Sequence, residues 1–142
     1  MPTYYVNEAM FVLPERGFVD RTIHRLESPL QGDDPLAIIL RRVPLEEGKT
    51  LRQVVGEEVA ASTAKVTSFA VLAETEATVS GAPAILLRAR WRSGDVAHYQ
   101  VQAHVALDGT WVALAVTAPY ADRAACDETF DRVVQTIAWR GA

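Results

Sequence analysis

The 142-residue sequence predicts an α+β fold, an antiparallel sheet of six to eight strands with two main helices. Three observations carry this. First, four β-rich segments between Ser68 and Thr117 are separated only by Ser80-Gly81, Ser93-Gly94-Asp95 and Asp108-Gly109. Links this short join antiparallel neighbours, because a parallel pair needs a long crossover. Second, helical periodicity is confined to two stretches, near 51–66 and 122–138. Third, the composition is 49% hydrophobic and 23% charged, a globular balance at a length that suits one domain. Residues 1–142 therefore read as a single domain.

The elements follow in chain order. Thr3 to Val6 and Ala9 to Leu13 carry the tyrosine, valine and phenylalanine that strands favour. Pro14 to Gly17 interrupts, and Val19 to Glu27 resumes an extended alternation. Ser28 to Pro35, with two prolines, a glycine and two aspartates, predicts an exposed loop. Leu36 to Val43 is apolar enough at its start to be buried on both faces. Thr50 and Gln53 then have capping-box spacing, and Leu51, Val54, Val55 and Val59 fall on one helical face. Ser68–Val79, Ala82–Trp91, Val96–Leu107 and Thr110–Thr117 are the four strands, with Asp108-Gly109 the strongest hairpin signal. The last helix buries Cys126, Phe130, Val133, Val134 and Ile137. Two helices do not cover both faces of so wide a sheet, and an uncovered, partly apolar face is the place to look for function.

Composition excludes several classes. Lys+Arg 14 against Asp+Glu 18 gives a net charge of -4, without the basic surface that phosphate binding demands. One cysteine, Cys126, makes neither an internal disulfide nor a multi-cysteine zinc site. The N-terminus has no basic-then-apolar signal pattern, and the longest apolar runs fall far short of the roughly 20 residues of a membrane helix. The expectation is a cytoplasmic protein without stable membrane insertion.

Catalytic patterns are equally sparse. His98 and His104 share a strand face but stand about 20 Å apart along an extended chain, too far to ligate one metal. The serines lack a nucleophile-elbow context, and no glycine cluster resembles a phosphate loop. Cys126 sits on an apolar helical face, and Glu46-Glu47 and Glu57-Glu58 read as solvated charges. The sequence therefore predicts no enzyme, no cofactor and no metal site.

One strand is less ordinary. His98, Gln100, Gln102 and His104 alternate with Tyr99, Val101, Ala103 and Val105. The apolar set belongs under a helix. The polar set is either simple solvent exposure or a row of uncharged donors and acceptors facing a ligand, which avoids desolvating charge. Ile23, between Arg21 and Arg25, is likewise either core or an apolar anchor of a binding groove.

The N-terminal third resembles a known family. Tyr5-Val6-Asn7-Glu8-Ala9-Met10-Phe11-Val12-Leu13-Pro14, then Phe18-Val19-Asp20-Arg21-Thr22-Ile23-His24, is similar to the DcrB-related family, whose cytoplasmic members include the Eag-type chaperones of type VI secretion effectors. Pro44-Leu45 to Gly48-Lys49-Thr50-Leu51, Gly81-x-Pro83-Ala84 and the Tyr99–Gln102 strand extend the likeness. Phe18 stands where tryptophan is common and His24 where asparagine is common. The resemblance implies a Mog1/PsbP-like sandwich, a homodimer, and binding of the transmembrane-like N-terminal segment of a secreted toxin before export. It places Ile23, Gln100 and Gln102 on or near the client surface, together with Gln53, Val55 and Val59 of the first helix. Shielding such a segment needs buried area, at about 25 cal/mol per Å², rather than a catalytic group.

Three other readings stay open on the residues alone. A small-molecule or lipid carrier would use the same face through a closed pocket of roughly 300–1,000 Å³. An enzyme would require a histidine to converge with a carboxylate. A structural subunit would bury a flat apolar patch against a permanent partner.

Overall fold

The computed structural model describes residues 3–5, 9–16 and 21–140. Asn7, Glu8, Phe18, Val19 and Asp20, which carry part of the family resemblance, lie outside the described residues. A short hairpin pairs β1 (Thr3–Tyr5) with β2 (Met10–Val12). The main sheet holds six strands, β3 (Ile23–Ser28), β4 (Leu36–Pro44), β5 (Ala70–Val79), β6 (Ala82–Ser93), β7 (Val96–Leu107) and β8 (Thr110–Pro119). Their order is β3-β4-β8-β7-β6-β5, antiparallel throughout. The two helices are α1 (Leu51–Lys65) and α2 (Arg123–Thr136), the second entered through a short 3₁₀ turn at Tyr120–Asp122.

The predicted turns explain the meander. Ser80 and Gly81 have φ of 47° and 83°, and Asp108 and Gly109 have 41° and 78°. Two successive positive φ values give a turn whose twist matches that of the strands it joins. Hairpins β5-β6 and β7-β8 are thereby fixed in register, and β6-β7 turns at Gly94. The link from β4 to β5 has to cross the sheet, and α1 makes that crossing.

The helices take opposite faces. On one, Cys126 and Phe130 of α2 meet Tyr99, Val101, Ala103, Val105, Leu114, Val116 and Ala118, with Leu36, Ile38 and Leu40 at the margin. The odd-numbered apolar set of β7 lies under a helix, as its alternation predicted. Asp127 fixes α2 in rotation, since its Oδ1 accepts from Arg88 Nη1 at 2.5 Å and from Tyr99 Oη at 2.6 Å. Burial, followed by the bond to Asp127, pushes the Tyr99 hydroxyl up to about 12. Cys126 donates to the Val116 carbonyl at 3.0 Å, and burial raises its thiol to about 12, the state of an unreactive core cysteine.

On the other face α1 packs more sparsely. Its capping box is formed as predicted: Gln53 N donates to Thr50 Oγ1 at 3.2 Å while Thr50 N donates to Gln53 Oε1 at 2.8 Å. Val54 meets Trp111 and Ala113, and Val55 meets Ile85 and Leu87. Arg52 pairs with Glu76 and reaches Glu74 at 3.8 Å, tying the helix to the β5 edge. The helix covers part of this face and leaves the part beside β4 open.

Candidate functional site

The open part is a groove built on the even-numbered row of β7. Register places Gln100 opposite Thr117, Gln102 opposite Ala115 and His104 opposite Ala113 of β8. Ala115 in turn faces Ile39 of β4, and Ala113 faces Arg41. Directly opposed residues share a face, so these side chains form one floor. The alanines give it depth, because a methyl group lies low between the longer side chains of β4 and β7. One bank is Ile39 and Arg41, and the other is Val59 and Ser62 of α1, closed at one end by Phe69 and Trp91. The depression holds about 250 Å³ and opens to solvent. A second one, about 240 Å³, shares Ile39, Trp91 and Gln100 with it and runs on past Arg25, Pro35 and His98. Together they make one trough across the sheet.

Its polar chemistry runs along a relay. Trp111 Nε1 donates to His104 Nδ1 at 3.1 Å, and His104 Nε2 is 2.7 Å from Gln102 Oε1. Gln102 Nε2 in turn donates to Gln100 Oε1. The indole is a donor only, so a neutral His104 must carry its proton on Nε2 and donate to Gln102. Arg41 lies beside this relay, its Cζ 4.7 Å from the Trp111 ring centroid, and its Nη2 bonds Glu58 Oε1 at 2.8 Å. At the far end Trp91 stacks between Phe69, at 6.4 Å, and His98, at 5.4 Å.

His104 is 2% exposed, which corrects the reading of the polar row as either solvent-facing or ligand-facing along its whole length. α1 and Trp111 cover its end, so His104 meets the trough only at a buried edge, while the half-buried Gln100 and Gln102 present their amides to it. Burial, then the nearby Arg41 charge, lowers the imidazole to about 4. A proton on Nδ1 would also face the Trp111 N–H. Because the folded value lies below the unfolded value of about 6.5, the unfolded chain takes up the proton first. The stabilisation is therefore complete above about pH 6.5 and lost as pH falls toward and through 4, a change of about 3 kcal/mol. Urea unfolding between about pH 7 and pH 4 is expected to show this loss, and His104→Gln to flatten it.

The six residues carried over from the family fall into three groups. Gln100, Gln102 and Val59 line the trough. Ile23 pairs with Arg41, hence on the same sheet face, and at 65% exposure it extends that face onto the outer strand β3. Val55 and Gln53 stand apart from it. Val55 is 1% exposed against Ile85 and Leu87, where it holds α1 to β6, and Gln53 closes the capping box. His24 projects to the opposite face, beside Leu40 and Ile137. Glu57 and Glu58 are not simply solvated: Glu57 pairs with Lys49 at 2.8 Å and Glu58 with Arg41. Sequence reasoning passed over Ile39, Arg41, Phe69, Trp91, Trp111 and Ala115. The alternation Trp111, Ala113, Ala115, Thr117 in β8 was the available signal, since small residues beside a glutamine row mark a depression.

Comparison with known proteins agrees with this architecture. A family model described as DcrB matches residues 8–136. The fold is similar to that of PA94 from Pseudomonas aeruginosa, described as a protein of unknown function and a candidate regulator. That likeness has 17% identity and a TM-score of 0.83, and covers 100% of this chain and 99% of the other. LpqN of Mycobacterium tuberculosis, described as involved in cell envelope biogenesis, is 12% identical with a TM-score of 0.66, over 83% of each chain. Cyanobacterial PsbP from Synechocystis sp. PCC 6803 is 10% identical with a TM-score of 0.57, over 89% of this chain and 96% of the other. No curated protein matches the chain. At these identities the solved structures establish the fold, the α+β sheet with two helices that the sequence predicted and the PsbP-like form that the family resemblance implied.

Proposed function

The chain belongs to the DcrB family, and on that premise we propose that it is a non-enzymatic chaperone or adaptor for a type VI secretion effector. It binds the transmembrane-like N-terminal segment of that effector in the cytoplasm and shields it from water before export. The observation that carries this reading is the trough: uncharged Gln100 and Gln102 on its floor, with apolar Ile39, Val59, Phe69 and Trp91 around them. A membrane-spanning segment is apolar with scattered small polar contacts, and an uncharged amide meets those contacts without the cost of burying charge.

The open form of the site favours this reading over a small-molecule or lipid carrier, which needs an enclosed pocket. The histidines support a non-enzymatic role. His104 is committed to Gln102 and Trp111, His98 stacks on Trp91, and His24 faces away. Homodimerisation through the β3 edge belongs to the same proposal. That strand is the outer one of the sheet and exposes Ile23 at 65% on the trough face and Leu26 at 64% on the other. An outer strand is a ready pairing surface.

Co-expression with a tagged effector N-terminal segment tests the site. Gln102→Ala and Ile23→Asp are each expected to reduce recovered complex about fivefold or more, the scale of one lost polar or apolar contact. Thermal unfolding of Ile23→Asp should stay close to wild type, and Gln102→Ala, which takes the acceptor from the buried His104 N–H, is compared at a temperature where it is fully folded. Undiminished recovery with both would contradict the placement of the client in this trough.

A further inference from the structure

The relay on the trough floor has a direction, and that direction selects a ligand. It begins at the Trp111 N–H, which has no acceptor capacity, so every later bond is set in turn. His104 Nδ1 must accept, Nε2 must donate to Gln102 Oε1, and the Gln102 amide must then present its nitrogen to Gln100 Oε1. Gln100 is left with its Nε2 amide group toward the two depressions that it lines. Among the described residues no side chain or backbone oxygen meets that nitrogen. An isolated glutamine would rotate to donate or accept as a ligand required, and this one has its oxygen already engaged.

We infer that Trp111 and His104 are positioning residues that orient the floor, so that the trough presents the Gln100 N–H group outward and selects an apolar helix bearing an uncharged hydrogen-bond acceptor, the oxygen of a hydroxyl, ether or carbonyl. This rests on the trough being the client site and states which chemistry within a client it reads. The polar bank does not compete for the same role, because Arg41 is paired with Glu58 and covers Trp111. A carboxylate on the client would bring a charge into a depression whose lining cation, Arg41, is already paired with Glu58. A cationic side chain would meet the outward Gln100 N–H group, so an uncharged acceptor fits best.

The test uses the full chain and three synthetic helical peptides of about 20 Leu and Ala residues, differing at one central position. That position is serine, O-methylserine or alanine. O-methylserine has an ether oxygen and no O–H, so it accepts and cannot donate. Serine and O-methylserine peptides are expected to bind about fivefold more tightly than the alanine peptide, the worth of one net hydrogen bond. Serine binding better while O-methylserine matches alanine would overturn the inference, because the floor would then be accepting. Equal binding of all three would also overturn it and leave the trough reading standing. Failure of every peptide to bind would contradict the trough reading itself, and the inference with it.

Two variants separate direction from mere packing. Trp111→Phe keeps a ring against Val54 and removes the N–H. It should shift the His104 ring from the Nε2–H tautomer to a mixture, read by imidazole ¹⁵N NMR, and abolish the preference for O-methylserine. Gln102→Glu gives a carboxylate that accepts from both His104 and Gln100, turning the Gln100 oxygen to the trough, and should abolish the same preference. Retention of that preference by either folded variant would contradict the inference.

Discussion

Phe130→Ala is expected to lower the unfolding free energy by about 3–5 kcal/mol, the range for truncating a fully buried aromatic ring. Phe130 is 3% exposed and sits with Cys126 at the centre of the α2 face, over the apolar set of β7 and β8. Among the described residues α1 does not replace that contact, because it serves the opposite face through separate clusters around Trp111 and Leu87. A loss of that size is a large share of the roughly 5–15 kcal/mol by which domains are stable. Urea unfolding of wild type and variant measures it directly. A cost below about 1 kcal/mol would mean that α2 is not held by this ring.

Ala115→Phe is expected to act on function instead. Ala115 lies in register between Ile39 and Gln102, and it is one of the methyl groups that gives the trough its depth. A benzyl group there would occupy much of the roughly 250 Å³ depression without disturbing the α2 core. Client recovery should fall about tenfold or more, equivalent to about 1.4 kcal/mol, while stability changes by less than about 1 kcal/mol. Exclusion by volume distinguishes this variant from Gln102→Ala, which removes a polar contact and leaves the space. Full capture by Ala115→Phe would place the client on another surface.

The fold was legible because its signals are local. Paired turn residues such as Asp108-Gly109 act within four residues, and the alternation in β7 states which side chains share a face. The Thr50–Gln53 box marks the start of α1 to the residue. The trough was legible only in part. Parity put Gln100 and Gln102 on one face and the family resemblance added Ile23, but the depth of that face depends on where α1 crosses it. The crossing buries His104 and leaves Gln102 open, two residues apart on one strand. It also turns Val55 into the core while Val59, one turn later, reaches the rim. Helical periodicity assigns both valines to one apolar face and does not separate the core from the groove. The Arg41–Glu58 pair joins residues 17 apart in sequence through that same crossing. Trp111 was passed over for a related reason, since its N–H matters only once register has set it beside His104.

The central claim is that this chain captures an apolar segment at the N-terminus of a type VI effector. The most direct measurement is affinity capture of the tagged chain from its native bacterium under secretion-active conditions, with bound proteins identified by mass spectrometry. The same capture is repeated from cells in which the recovered toxin lacks its apolar N-terminal region. The account predicts one large toxin recovered in the first case and lost in the second. Recovery of that toxin without its N-terminal region, or of bound lipid or metabolite with no toxin at all, would contradict it.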